Sequence, residues 1–347
     1  MVALVMNTAT PDAVLRAAQG SVPAFNALSI PASQQPHRNI PAPLATPLAP
    51  PEPSLELPSL KMRTQPGYEQ VTVTVTDSSG KYVTDLKADD FRVLEDGQQR
   101  PIGFFRIDRS APVSVGIIVD CSTSMATKFS QARAAITRLV DDLDPRDDVF
   151  LESFSIHAQL LQPFTLDHHQ IIDHLEFLHA VKSTSLYDAV FMGLYEMRYA
   201  QRDKRALLVV TDGLDNTSKT RWEQVIFAAR VMKVLIYAVG IGEDVVSTRD
   251  NPWWEMVKPD AAEVDMHALK DLADETGGRA YNLRRVGEGE ELSRDCAEIS
   301  DELRRQYTIA YLSPDPDRIG FRPLRVDIPK HPELSVRVRK DVAILPE

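Results

Sequence analysis

One aspartate and two serines form the pattern in this sequence with the clearest chemical potential. Asp120, Ser122 and Ser124 alternate with other residues directly after the apolar run at residues 115–119. That run has no polar alternation, which predicts a strand buried on both faces of a parallel sheet. The three side chains are therefore expected on a loop at the carboxyl end of a central strand, where open α/β sheets bind ligands.

Two later segments add oxygen-bearing side chains at similar positions. The hydroxyls of Ser183, Thr184 and Ser185 lead into a helical pattern, and Asp212 ends a second buried run at residues 206–211. Carboxylates and hydroxyls without His or thiolate partners suit a hard cation, Mg²⁺, Mn²⁺ or Ca²⁺, rather than zinc. Asp and Ser also cap turns and helices, but two converging carboxylates repel each other unless a cation lies near them. Asp120, Ser122, Ser124, Asp212 and a hydroxyl from residues 183–185 are therefore candidate ligands of a metal ion.

These motifs resemble the metal-ion-dependent adhesion site of von Willebrand factor A domains. The D-x-S-x-S of residues 120–124, Thr184, and Thr211-Asp212-Gly213 match that family in order and spacing. The sequence departs from the family at Thr123 and at Lys182-Ser183, where Gly is often found. Gly permits positive φ without steric cost, so strained or reshaped loops are expected there.

The resemblance also implies how such a site works. It implies that the two serines ligate directly, and that the two aspartates and Thr184 act directly or through water. It further implies that the bound ion accepts one more oxygen, usually a carboxylate from a partner protein. The favoured function is therefore a non-enzymatic, metal-dependent module for protein binding or adhesion.

Two other functions stay open. The first is a structural von Willebrand factor A scaffold with an empty site. The second, less favoured, is a metal-dependent hydrolase, because Asp and Mg²⁺ at strand ends also serve phosphoryl transfer. Against it, Ser122 stands where haloacid-dehalogenase-type enzymes carry a second Asp, and neither a G-x-S-x-G elbow nor a phosphate-binding P-loop occurs.

Two neighbouring tryptophans suggest a further contact for a partner. Trp253 and Trp254 lie in the long segment between residues 244 and 265. Exposed tryptophan is favoured at interface hot spots, which makes the pair a candidate for partner binding. The alternative is that both rings cover the edge of the sheet, and the sequence does not choose between the two.

Length, charge and cysteine content limit the class of protein. A chain of 347 residues with 43% hydrophobic residues is long enough for two domains and a tail. Its formal net charge of −11 disfavours nonspecific binding to nucleic acid or anionic membranes. The two cysteines, Cys121 and Cys296, give neither a disulfide framework nor a zinc set. The sequence shows neither a transmembrane run nor a secretory signal. A cell-envelope or extracellular location is suggested only by the resemblance to bacterial proteins that are often exported.

Composition and periodicity divide the chain into four segments. Residues 1–66 are rich in Pro, Ala and Ser, which predicts a disordered tail or linker. Residues 111–304 alternate buried strands with amphipathic helices, which predicts a doubly wound, Rossmann-like α/β domain. Residues 67–110 and 305–347 alternate with period 2. The V-x-V-x-V-x-D of residues 71–77 and the D-F-x-V-x-E-D-G of residues 90–97 resemble the β-region that precedes A-type domains in bacterial VWFA-related proteins, and this resemblance covers residues 68–108. Because neither flank forms a stable unit alone, we expect them to pair in one small β-sandwich around the inserted α/β domain.

Several elements are predicted in detail. Residues 148–154 are expected to form a strand, with residues 158–164 as its antiparallel partner at the edge of the sheet. The Asp96-Gly97 turn is expected to join residues 89–95 to residues 102–107 as a hairpin. The predicted helices include residues 129–143, 221–232, 266–276 and 292–305.

Overall fold

The computed structural model describes residues 67–107, 109–181, 183–212, 215–241, 243–244, 263–283, 289–313 and 318–344. The predicted tail, residues 1–66, and the candidate partner contacts Trp253 and Trp254 lie outside these ranges. No helix within them is both long and apolar enough to cross a membrane.

Sixteen strands and six α-helices make up the regular structure of these ranges. The strands are β1 (Tyr68–Thr76), β2 (Arg92–Glu95), β3 (Gln98–Arg100), β4 (Ile102–Ile107), β5 (Val113–Asp120), β6 (Asp148–Phe154), β7 (Ala158–Thr165), β8 (Lys204–Thr211), β9 (Leu235–Ile241), β10 (Glu243–Asp244), β11 (Glu263–Val264), β12 (Ala280–Leu283), β13 (Tyr307–Leu312), β14 (Gly320–Asp327), β15 (Ser335–Arg337) and β16 (Asp341–Ile344). The helices are α1 (Phe129–Asp141), α2 (His168–Glu176), α3 (Leu186–Glu196), α4 (Trp222–Met232), α5 (Met266–Thr276) and α6 (Gly289–Arg304).

A six-stranded sheet forms the centre of the α/β domain. Its strand order is β12-β9-β8-β5-β6-β7, parallel except for β7, which pairs antiparallel with β6 at the edge. Every residue of β5 is buried, as the absence of polar alternation predicts. Helices α1, α2 and α6 cover one face, and α3, α4 and α5 cover the other. This arrangement confirms the predicted doubly wound α/β class.

The two flanks of the α/β domain meet in a β-sandwich, as expected. One sheet has the order β15-β1-β13-β4 and the other β16-β14-β2-β3. In the first, β1 pairs antiparallel with β13, and in the second β2 pairs antiparallel with β14. Side chains from both flanks, among them Val73, Val93 and Tyr307, fill the core between the sheets. Neither flank completes a sheet alone, so the sandwich is built from chain segments on both sides of the α/β domain.

The predicted hairpin at Asp96-Gly97 is wrong in its second strand. Both turn residues have positive φ, 53° and 74°, as a two-residue type I′ turn requires. The turn, however, joins β2 to the three-residue strand β3. After Pro101 the chain changes sheets, and β4 pairs with β13 instead. The turn was recognisable from sequence, but the change of sheet depends on pairing with a strand 200 residues away in the chain.

A buried polar network joins the sandwich to the α/β domain. Glu302, near the end of α6, is fully buried and accepts hydrogen bonds from Tyr237 Oη at 2.7 Å and Thr74 Oγ1 at 3.3 Å. Arg337 of β15 forms an ion pair with the same carboxylate. Gln306 Nε2 donates to Thr74 Oγ1 at 2.9 Å. The carboxyl end of α6 is therefore bonded to strands of both parts of the fold.

Candidate metal-binding site

Two neighbouring strands bring the predicted aspartates to one edge of the central sheet. β5 ends at Asp120, and β8 ends at Thr211, directly before Asp212. The two strands run parallel and pair from Val113↔Lys204 to Val119↔Val210, so their carboxyl ends lie side by side. Both aspartates are fully buried. The fold thus places two carboxylates at the edge where α/β sheets bind ligands.

The serine hydroxyls connect to these carboxylates. Ser124 Oγ donates to Asp212 Oδ1 at 2.9 Å, and Ser122 Oγ donates to the same oxygen at 3.3 Å. The two hydroxyl oxygens are 3.0 Å apart. Ser122 occupies the N-cap position of the 3-10 turn Thr123–Thr127 but makes no capping bond with its side chain. Its hydroxyl therefore belongs to the cluster, and a hydroxyl that donates its proton keeps its lone pairs for a cation.

Asp120 is held by two hydrogen bonds from the protein. The backbone N–H of Ser122 donates to Asp120 Oδ1 at 2.7 Å, and Thr211 Oγ1 donates to Asp120 Oδ2 at 2.6 Å. Ser122 thus contacts both aspartates, one through its backbone and the other through its hydroxyl. These bonds fix the orientation of the Asp120 carboxylate within the loop that follows β5.

Thr184 is tied to the site through its backbone. Its N–H donates to Asn216 Oδ1 at 3.0 Å, and its carbonyl oxygen accepts from the backbone N–H groups of Asn216 at 3.0 Å and Thr217 at 3.3 Å. These bonds join the loop before α3 to the loop that follows Asp212. Within the described contacts, the Thr184 hydroxyl makes no hydrogen bond to either aspartate. The structure therefore brings Asp120, Ser122, Ser124 and Asp212 into one bonded cluster. Thr184 is buried and bonded to residues 216–217, and its hydroxyl is not part of that bonded cluster among the described contacts.

The two departures from the glycine-rich family pattern have different structural outcomes. Ser183 has φ of 74°, in the left-handed region that favours glycine. Thr123 lies within the 3-10 turn and is not one of the described residues with positive φ. The loop before Thr184 therefore contains the expected strain, and the loop after Asp120 accommodates its threonine without it.

Lys128 is a member of the site that the sequence did not indicate. Its Nζ donates to Asp212 Oδ2 at 2.5 Å and to the carbonyl oxygen of Ile241 at 3.1 Å. The side chain is only 4% exposed. A lysine at the start of an amphipathic helix is expected at the surface, and nothing in the local pattern connects it with a carboxylate 84 residues away. Only the three-dimensional contact with Asp212 shows that Lys128 belongs to the site.

A known protein family matches the part of the chain that forms this α/β domain. The sequence profile of the von Willebrand factor type A domain matches residues 114–295, just over half of the chain. The chain belongs to the von Willebrand factor type A family. Domains of this family often mediate protein interactions and are typically non-enzymatic.

Individual relatives of this von Willebrand factor A protein are distant. An uncharacterized protein from Borreliella burgdorferi is 24% identical over 192 residues, which cover 51% of this chain and 55% of that protein. This chain therefore spans little more than half the length of that relative.

Solved structures similar to the chain include three bacterial proteins. The von Willebrand factor type A protein from Catenulispora acidiphila has a TM-score of 0.47 and 15% identity, covering 73% of this chain and 75% of its own. BatB from Bacteroides thetaiotaomicron has a TM-score of 0.42 and 20% identity, covering 55% and 99%. The von Willebrand factor domain of the type V pili tip protein Mfa5 from Porphyromonas gingivalis has a TM-score of 0.43 and 12% identity, covering 56% and 97%.

At the carboxyl edge of the von Willebrand factor A sheet, burial has the largest effect on the pKa of Asp120. Burial raises the pKa of Asp120 to about 6, hydrogen bonds from Thr211 and Ser122 act to lower it, and the nearby Asp212 charge acts to raise it. A cation beside the carboxylates favours their ionised forms. Lys128 provides one positive charge against two negative charges, so the cluster keeps a net charge of −1 when all three groups are ionised.

The donor set of this von Willebrand factor A domain fits a hard cation of the Mg²⁺ class. Among the described residues, no group of three or more His, Cys, Asp or Glu side chains is placed to hold a metal. An ion at this edge would therefore depend on a mixed set of two carboxylates and serine or threonine hydroxyls. All of these ligands are oxygens, as Mg²⁺ and Ca²⁺ prefer, and Mg²⁺ usually keeps several waters besides.

Proposed function

We propose that the chain is a divalent-metal-dependent protein-binding module that engages an acidic residue of a partner protein. The observation that supports this proposal is the bonded cluster of Asp120, Ser122, Ser124 and Asp212 at the carboxyl edge of the von Willebrand factor A sheet. Oxygen ligands, burial and a residual negative charge together favour a hard cation. Membership of a family that often mediates protein interactions supports the assignment to binding rather than catalysis.

The proposed ligands are Asp120, Ser122, Ser124, Thr184 and Asp212, with water completing the set. When bound, the ion supplies a Lewis-acidic position that accepts a carboxylate oxygen. Ser122 and Ser124 orient their lone pairs by donating to Asp212, and Thr211 orients Asp120. Mg²⁺ is the first candidate, with Mn²⁺ or Ca²⁺ as alternatives, because all three prefer oxygen ligands.

Specificity for a partner is assigned in this proposal to the loops around the site. The ion contributes a contact that any exposed carboxylate can make, so discrimination must come from surrounding side chains. Trp253 and Trp254 are proposed as part of this surface because of their residue type alone. They lie outside the described residues.

A structural scaffold without metal is the second candidate, and one specific observation favours it. Lys128 pairs with Asp212, and the remaining carboxylate oxygens already accept bonds from hydroxyl or backbone groups. Converging carboxylates therefore do not by themselves require a metal here. Lys128 relieves part of the repulsion between the two aspartates within the protein itself.

A peptide selection tests the proposed function directly. The immobilised protein is exposed to a displayed library of random peptides in Mg²⁺, and bound peptides are eluted with EDTA. We expect enriched peptides to share an Asp or Glu, to lose binding when that residue becomes Asn or Gln, and not to bind an Asp120→Asn variant. Asp173→Asn, which removes an exposed carboxylate from α2, is the matched control and retains binding. Peptides that bind equally well in EDTA, or without an acidic residue, would contradict the proposal.

A further inference from the structure

Lys128 occupies a position from which one ammonium group holds two strand ends. It follows the 3-10 turn Thr123–Thr127 and directly precedes α1. From there Nζ reaches Asp212, which follows β8, and the carbonyl oxygen of Ile241, the last residue of β9. The residue is 3% exposed and Asp212 is fully buried. The ion pair therefore lies inside the carboxyl edge of the sheet and not on its surface.

Each partner of this ion pair needs the other. A buried charge without a partner is strongly unfavourable, and removing one partner leaves the other uncompensated. Asp212 Oδ1 accepts the two serine hydroxyls, but Oδ2 receives its charge-assisted bond from Lys128. Asp212 is also a proposed metal ligand, so the ammonium and a divalent ion would act on the same carboxylate.

We propose that Lys128 is a built-in counter-cation, which holds Asp212 in the metal-free protein and opposes the binding of a divalent ion to the same site. The second half of this inference rests on the proposed metal-dependent function, whereas the first half does not. With two carboxylates and one ammonium, a bound divalent ion brings the net charge from −1 to +1. Lys128 therefore lowers the affinity for the ion alone and leaves a positive charge that an acidic partner neutralises.

Binding of the ion and binding of the acidic partner are coupled in this proposal. An acidic ligand brings the charge of the occupied site from +1 to 0, so ion and ligand each favour the binding of the other. Linkage requires that this effect be reciprocal, with each raising the affinity for the other by the same factor. The coupling itself comes from the contact between ion and carboxylate, whereas Lys128 acts on the two with opposite sign: it lowers the affinity for the ion alone and raises the affinity for the acidic ligand.

The first experiment measures stability in EDTA and does not depend on metal binding. Lys128→Met keeps most of the side-chain volume but leaves Asp212 buried without its cation. We expect a lower urea midpoint for this variant and a partial recovery in the double variant Lys128→Met, Asp212→Asn, where neither partner is charged. Lys270→Met removes an exposed lysine from α5 and should leave the midpoint unchanged. If Lys128→Met is as stable as wild type, or the double variant is no more stable than the single one, the counter-cation role is overturned.

The second experiment measures Mg²⁺ affinity from the rise in melting temperature with ion concentration. We expect Lys128→Met to bind Mg²⁺ at least about tenfold more tightly than wild type, because one opposing charge is removed within a few ångströms of the site. Lys270→Met should match wild type. Equal affinities in all three proteins would overturn the opposition between Lys128 and the ion while leaving the metal-binding proposal intact.

A further outcome separates the two proposals. If neither wild type nor Lys128→Met responds to Mg²⁺, the proposed metal-dependent function fails, and so does the opposition between Lys128 and the ion. The stability experiment then still decides whether Lys128 is the counter-cation of Asp212. If Lys128→Met does not fold but the double variant does, the counter-cation role is supported, since the uncompensated Asp212 charge is then the cause.

Discussion

At the scale of single residues, Ser183 stands at a position where the family often has glycine, and its backbone is strained. Its φ of 74° lies in the region that L-residues avoid because Cβ approaches the carbonyl oxygen, at a cost of about 1–2 kcal/mol. The residue is held there because Thr184, next in the chain, is bonded to Asn216 on both its N–H and its carbonyl oxygen. The loop beside the candidate site therefore stores strain in one serine.

Replacing Ser183 with glycine should stabilise the protein. We expect Ser183→Gly to raise the free energy of unfolding by about 0.5–1 kcal/mol, because relief of the left-handed strain exceeds the entropy that glycine adds to the unfolded chain. Urea unfolding measures the effect. Ser130→Gly, at an exposed position in the first turn of α1, is the control and should be destabilising by about 0.5 kcal/mol or less, since glycine is less favourable than serine in a helix. A loss of stability in Ser183→Gly would show that the serine side chain contributes more than the strain costs.

Glu152 is a second residue whose environment has a measurable consequence. It lies on β6, is fully buried, and neither carboxyl oxygen has a hydrogen-bond partner among the described residues. Burial raises the pKa of Glu152 to about 9, with a further contribution from the charge of Glu196. The folded protein thus holds this proton more tightly than the unfolded chain does, so stability falls as pH rises from the unfolded pKa of about 4.5 towards 9.

The variant Glu152→Gln should remove this pH dependence. At pH 8 we expect it to be more stable than wild type by about 4 kcal/mol, because wild type must either hold a proton or bury a charge. At pH 5, where the wild-type carboxyl is protonated in the fold, the two proteins should differ little. Glu176→Gln, an exposed glutamate at the end of α2, serves as the control and should follow the wild-type curve. Parallel stability curves for Glu152→Gln and wild type between pH 5 and 8 would contradict the assignment.

At the scale of elements, helix α6 connects the α/β domain with the β-sandwich. Its buried residue Glu302 bonds Tyr237 of β9, Thr74 of β1 and Arg337 of β15. Two of these partners belong to the sandwich and one to the central sheet. The end of the helix is therefore fixed by polar contacts in addition to its apolar face.

Removal of the Glu302 carboxylate should destabilise the whole fold. We expect Glu302→Ala to lower the free energy of unfolding by about 3 kcal/mol or more, because it leaves Arg337 without its buried partner. Asp301→Ala, one position earlier on the same helix, removes only an exposed pair with Arg305 and should cost less than about 1 kcal/mol. Urea unfolding of both variants tests this difference. Similar effects of the two substitutions would mean that the network adds little beyond helix packing.

At the scale of the whole molecule, local periodicity predicted most of the fold. The observed strand Asp148–Phe154 and helix Met266–Thr276 have the predicted bounds, and the flanking segments pair as expected. Elements that were not predicted are short, such as the four-residue strand β12, or rich in residues of modest helix propensity, such as the histidines of α2. The four segment boundaries remain predictions.

The candidate site was predictable to the extent that its residues end strands or begin turns. Asp120 and Asp212 were recognisable because each directly follows a buried run, and parallel strands place such residues at one edge. Lys128 was not, because its role depends on a contact with a distant carboxylate. That contact changes the net charge of the site from −2, for the two carboxylates alone, to −1. Metal binding therefore has to be measured and does not follow from the carboxylates.

The most direct measurement is a calorimetric titration of EDTA-stripped protein with Mg²⁺ and Mn²⁺, carried to millimolar ion concentrations. Wild type is compared with Asp120→Asn, which preserves the shape of the side chain, and with Asp173→Asn, which removes a surface carboxylate. The metal-dependent account predicts one saturable site in wild type and in Asp173→Asn, and its loss in Asp120→Asn. No heat and no thermal stabilisation in wild type, or binding that persists in Asp120→Asn, would contradict it.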